Sequence, residues 1–204
     1  MINKKVVVFI SKIGVINDDL PNYITEDIEK INNEVLKEQK YSAYKLLNKA
    51  LILLGFDGGL SQKILKKRQD GKPYFDDICV SITHTKGLTS VCFYNESVGI
   101  DVERISRFEK FKFPMLMGLD YHLPKEIYAK EWTKKEASFK IEGGQVFSPI
   151  KINSDNFYTK TVKVISGDEG YFLTTSSVKE YEVEFFVLDN QNAFKYTGVE
   201  EITI

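Results

Sequence analysis

Apolar residues change their spacing several times along this chain, and each change predicts a different element. Val6 to Ile10 are apolar without a break, so Lys5 to Ile10 suits a strand at a buried sheet position. After a polar turn with Pro21, apolar residues at Ile24, Ile28, Ile31 and Val35 recur at helical spacing, with Thr25 placed to cap the helix. A stronger helix is predicted over Ser42 to Leu54, where Ala43, Leu46, Leu47, Ala50, Leu51 and Leu54 form one stripe and Gly55 is the stop. Gly58-Gly59 breaks the pattern before a basic stretch, Lys63 to Arg68, and the turn Asp70-Gly71-Lys72-Pro73, which faces solvent or a ligand.

Three strand-like runs come next, Ile78 to Thr83, Leu88 to Tyr94 and Ser97 to Glu103, joined by hairpin-length loops that predict an antiparallel meander. From Arg104 to Leu123 the pattern loosens into alternating Phe and Lys, broken by Pro114 and Gly118. Pro124 then opens a helix over Lys125 to Ile141 that stops at Gly143-Gly144. Further β-rich runs, Lys160 to Ile165, Tyr171 to Thr175 and Tyr181 to Leu188, surround the turn Ser166 to Gly170. Helix and strands therefore occur twice, and the expected fold class is α+β in two similar halves, residues 1–103 and 104–204. Each half is expected to be a small antiparallel sheet packed with helix.

Composition narrows the class. The 204 residues are 43% apolar and carry 28 basic against 29 acidic side chains, enough apolar matter for a sizeable core. Collagenous and disordered chains are excluded. Basic residues lead slightly before Asp70 and acidic ones after Lys151, without the clustered positive surface that nucleic acids require. No apolar run approaches the ~20 residues of a membrane span, and the early run is shorter than a signal-peptide core, so a soluble, cytoplasmic protein is expected. Cys79 and Cys92 form neither a disulfide ladder nor a CxxC pair and are expected as small core residues.

Four short motifs can carry chemistry. In Val98-Gly99-Ile100-Asp101-Val102-Glu103 the period of two puts both carboxylates on one strand face. There they are either a polar surface or hard oxygen ligands suited to Mg²⁺. Trp132, Glu136 and Lys140 share one helical stripe, adding a third carboxylate and an ammonium, or merely a surface Glu to Lys pair worth about 0.2–0.5 kcal/mol. Ser81-Ile82-Thr83-His84-Thr85 presents a histidine between hydroxyls, followed by Lys86-Gly87, a competent phosphate-binding corner. Gly71-Lys72-Pro73-Tyr74 is a hairpin connection or a turn offering one lysine to an anion. No nucleophile elbow, Walker loop or dinucleotide fingerprint is present. His122 is expected at the surface.

Taken in order, Gly-Lys-Pro, a hydroxyl-flanked His, Gly-Ile-Asp-Val-Glu and Trp-x-x-Lys-Glu-Ala-x-x-Lys resemble the 4′-phosphopantetheinyl transferase superfamily. The likeness is to its larger single-chain class, typified by the surfactin-synthetase-activating enzyme, and it spans about Lys40 to Gly144. It implies the transferase fold, with the site in a cleft between the halves. The implied activity moves the phosphopantetheine arm of coenzyme A to a serine of an acyl or peptidyl carrier protein and releases adenosine 3′,5′-bisphosphate.

Carried over residue by residue, the resemblance implies Asp101, Glu103 and Glu136 as Mg²⁺ ligands, with Glu136 also the candidate general base. Lys140 would contact the pyrophosphate and stabilise the departing oxygen, with Lys135 beside it as a second cation for coenzyme A or the carrier. Lys72, Thr83 and His84 would hold phosphates of the nucleotide. Relatives usually place an Arg on the Leu-rich helix for the 3′-phosphate; here Tyr44 stands there and Lys45 is the adjacent cation. The stretch between Glu103 and Trp132 is also shorter than is usual. Phe108 to Phe113 would either dock an acidic carrier helix or fill the cleft. A monomer follows from having both halves in one chain. The rival expectation is a non-catalytic adaptor that binds coenzyme A or a carrier.

Overall fold

The computed structural model describes residues 5–69, 71–110, 118–120, 122–142 and 148–204, with the backbone alone at Lys110. Phe111, Lys112, Phe113, Pro114 and the expected stop at Gly143-Gly144 lie outside the described residues.

β1 (Lys5–Lys12) is the middle of the first sheet, which explains its unbroken apolar run. Val7 and Phe9 enter a core under the first helices, while Val6, Val8 and Ile10 enter a second core between the sheets. The first helical stretch is two helices rather than one, α1 (Asn22–Glu29) and α2 (Glu34–Leu53). Asn33 takes an extended backbone and its side chain accepts the Leu36 N–H at 3.0 Å, so α2 restarts there and Val35 is left 60% exposed. Thr25 lies inside α1 and bonds back to the Asn22 carbonyl instead of capping the helix. Gly55 ends α2 as expected: at φ 88° it lets its own N–H reach Ile52 O and the Phe56 N–H reach Leu51 O, both at 3.0 Å.

β2 (Lys66–Lys67) and β3 (Pro73–Tyr74) form a minimal ribbon. β4 (Cys79–Thr85) and β5 (Leu88–Tyr94) make the expected hairpin, but β6 (Val98–Arg104) does not continue it as a meander. Both edges of β5 are already taken, by β4 and by β1, so no ladder is left for β6. Instead β6 pairs through all its residues with β8 (Glu169–Ser177), which forms a hairpin with β7 (Tyr158–Ser166). β9 (Glu182–Leu188), β10 (Ala193–Thr197) and β11 (Glu201–Thr203) complete the sheets, whose strand orders are β10-β9-β1-β5-β4 and β11-β7-β8-β6. The sheets were expected to be wholly antiparallel, yet β1–β9 and β7–β11 are parallel pairs. The sheets also exchange strands: the first takes β9 and β10 from beyond residue 104, and the second takes β6 from before it.

The protein is thus α+β, with α1 and α2 outside the first sheet and α3 (Lys125–Glu142) outside the second. Cys92 is buried and Cys79 half-buried in the core between the sheets, both as free thiols. Phe108 is 3% exposed and packs with Ile105, Tyr128 and Ala129 beneath α3, so it fills the interior and is not an anchor for a partner. Among the described residues, no helix is long and apolar enough to cross a membrane.

Candidate functional site

The site lies where β4 and β6, the last strands of their sheets, run beside each other. β6 turns Val98, Ile100 and Val102 into the core, so Gly99, Asp101 and Glu103 face α3. A Cβ on Gly99 would stand 1.9 Å from the Ala137 carbonyl oxygen. Glycine therefore lets β6 and α3 touch backbone to backbone at the residue next to Glu136.

Side chains take the place of a neighbouring strand along the free edge of β6. Ser81 Oγ accepts the Ile100 N–H and Thr83 Oγ1 accepts the Val102 N–H, each at 3.2 Å. Lys140 Nζ donates to Ile100 O, and Lys72 Nζ to Val98 O at 3.4 Å and to Lys140 O at 2.6 Å. The expected phosphate-binding hydroxyl and lysine thus already serve the junction of β6 and α3.

Asp101 and Glu103 are 6% and 7% exposed. Asp101 Oδ1 accepts from Lys140 Nζ at 2.8 Å and from Thr83 Oγ1 at 3.1 Å, whereas its Oδ2 is buried with no hydrogen-bond partner. Glu103 accepts from Thr85 Oγ1 at 3.4 Å and pairs with the Arg107 guanidinium. Burial, followed by the Asp101 charge, pushes the Glu103 carboxyl up. Glu136 is pushed up to about 7 by burial and then by Asp101, with Glu103 adding to it and Lys140 opposing. Glu136 therefore lies within the field of both β6 carboxylates, and a proton can be held or released there near neutrality.

His84, one residue before the end of β4, donates its Nδ1–H to Gln39 Oε1 at 3.2 Å. Burial, then Lys140 and Lys40, pull the ring down to about 4, so the imidazole is neutral at pH 7 and an anion beside it would favour the protonated ring. Asp101, Glu103, Glu136, Lys140, Lys72, Thr83 and His84 are therefore brought to one region. Two other expected residues are not. Lys135 Nζ donates to Ile152 O at 2.7 Å, tying α3 to the 3-10 turn Pro149–Lys151. Lys45 lines a separate hollow of about 380 Å³ with Gly14, Glu38 and Tyr41. Tyr44 packs against the first core, where burial pushes its phenol up. His122 is exposed, as expected.

Sequence reasoning missed Arg107 and Gln39, and it named Ser81 and Gly99 without foreseeing that one would accept the Ile100 N–H and the other admit the α3 backbone. A glycine inside a strand was the one signal able to reveal the close approach of α3. Among the described residues, no three His, Cys, Asp or Glu side chains stand close enough to enclose a metal ion as they are. The donor chemistry nonetheless suits a hard divalent cation: the cluster offers carboxylate oxygens, one of them buried and unpartnered, at Asp101, Glu103 and Glu136. No protein-family model and no curated protein matches the chain.

Proposed function

We propose that the protein is a Mg²⁺-dependent 4′-phosphopantetheinyl transferase of the two-half fold, acting on coenzyme A and an acidic acyl or peptidyl carrier. The carrying observation is that two buried carboxylates of β6 face a third on α3, with Lys140 bonded to Asp101 and one oxygen of Asp101 left without a partner. A binding surface has no need to bury like charges together, whereas a cation site does. Asp101, Glu103 and Glu136 would hold Mg²⁺, which when bound supplies charge neutralisation at the pyrophosphate.

The chain's own groups account for the rest. Glu136, half-buried on α3 in the field of the two β6 carboxylates, accepts the proton of the carrier serine. The Lys140 ammonium meets charge developing on the departing phosphate oxygen. Lys72, Thr83 and His84 bind the nucleotide phosphates, Lys72 and Thr83 giving up part of their bonding at the β6 edge and His84 gaining a proton as the anion arrives. Lys45, set apart on α2, would reach only the far, nucleotide end of coenzyme A. The protein is proposed to work as a cytoplasmic monomer.

The test is to incubate the protein with coenzyme A, Mg²⁺ and a panel of apo carriers and to look for the phosphopantetheine mass increment on serine. The increment is expected with at least one carrier and is expected to be lost in Asp101→Ala without loss of fold. Coenzyme A binding with no increment on any carrier would replace the enzyme with an adaptor, and absence of both would end the reading.

A further inference from the structure

Two cations already sit on the acidic cluster, and they are held differently. Lys140 is anchored by two acceptors, Asp101 Oδ1 and Ile100 O, each at 2.8 Å. Arg107 comes from the 3-10 turn Ile105–Lys110, directly after β6, and its guanidinium meets Oε1 of Glu103 four residues back. The Arg107 side chain is 59% exposed while that of Glu103 is 9% exposed, so the guanidinium reaches in from solvent and can return there with its hydration restored. On the metal reading, a cation at the unpartnered Asp101 Oδ2 also takes Glu103 as a ligand, and Arg107 occupies that carboxylate.

We propose that Arg107 is the resident counter-ion of this cluster, holding Glu103 until a divalent cation displaces it and thereby setting how tightly that cation binds. The inference rests on the metal reading of the cluster. Charge from every side enters the balance: Asp101 on β6 repels Glu103, as Glu136 on α3 does in return, Lys140 on α3 attracts it, and Thr85 on β4 donates to it. Arg107 is the only one of these groups that both pairs with Glu103 and stands mostly in water.

The experiment titrates Mn²⁺ into the wild type, Arg107→Gln, Arg107→Lys and Glu103→Gln at pH 8 without coenzyme A. Free Mn²⁺ is read by electron paramagnetic resonance, and thermal unfolding is followed with and without the metal. Arg107→Gln is expected to bind Mn²⁺ roughly two- to five-fold tighter than wild type, the range a half-exposed ion pair allows. It is also expected to melt at a lower temperature without metal and to gain more from metal than wild type does. Arg107→Lys keeps the charge and is expected to stay near wild type. Binding abolished in Glu103→Gln but not tightened in Arg107→Gln would overturn this inference alone. Binding untouched by Glu103→Gln, or absent from the wild type, would overturn the metal reading and this inference with it.

Discussion

α2 and α3 have similar lengths, 20 and 18 residues, but are fastened to their sheets by different chemistry. α2 buries Leu46, Leu47, Ala50 and Leu51 completely, and each buried leucine stabilises by about 1.5–3 kcal/mol. α3 buries Ala129, Thr133, Ala137 and Ser138 with only Tyr128 as a large side chain, and it is joined to β8 by hydroxyl pairs, Thr133 with Thr174 and Ser138 with Ser176, each at 2.9 Å. Such bonds each contribute only about 0.5–1.5 kcal/mol net. What α3 gains is proximity. Short side chains and Gly99 bring its backbone against β6, so that Lys140 bonds Asp101 and Glu136 feels the charge of both Asp101 and Glu103. One helix is a stabiliser, and the other trades apolar burial for the closeness of charged groups.

The largest effect should come from α2. Leu51→Ala is expected to cost about 2–5 kcal/mol in urea unfolding while leaving Mn²⁺ affinity intact in the folded fraction. Equal damage to metal binding would break the division of labour. Next comes Gly99→Ala, whose added Cβ must push α3 from β6: about 1–3 kcal/mol of stability and at least a ten-fold loss of Mn²⁺ affinity, measured in the same two assays. Retained affinity would mean that close approach is not what assembles the site. Ser138→Ala should cost about 1 kcal/mol, because Ser176 then loses its partner in the interior, and a calorimetric melt would detect it.

The last test is a slope with pH. Glu136 is raised from the ordinary 4.5 to about 7, so between those values the folded protein keeps a proton that the unfolded chain releases. Metal-free stability should therefore fall as pH rises through that window, with Glu103 adding in the same direction. Most of the slope should vanish in Glu136→Gln and persist in Leu51→Ala, as denaturant midpoints across the window would reveal.

Much of this was legible where a local rule is strong. Leu88 to Tyr94 is a strand with its expected limits, and α3 starts at Lys125 as expected, after the unambiguous signal of Pro124, and ends one residue beyond expectation. The early start of α2 was hidden because Val35 fits the helical spacing of the preceding stripe and Lys37 to Lys40 are polar, so only the Asn33 cap marks the restart. The β10 and β11 strands are short, largely exposed and without clear alternation, so only their partners make them strands. The departure of β6 from the meander depends on β1 occupying β5, a contact between segments some eighty residues apart. Within the site, the period of two put Asp101 and Glu103 on one face, and the helical stripe placed Glu136 with Lys140. That Ser81 and Thr83 serve backbone N–H groups of β6 could be seen only once the two sheet edges were known to adjoin.

That adjoining of β4 and β6 has a consequence for the behaviour of the protein at high concentration. A terminal strand ordinarily offers a row of amides on which a foreign strand can stack, the first step toward a fibril. Here the hydroxyls of one terminal strand and two lysines cover amides and carbonyls of the other, so the groups that would recruit a second molecule are already engaged. The polar seam that gathers the charged groups also closes this edge to a second molecule, leaving β10 and β11 as the open margins of the two sheets.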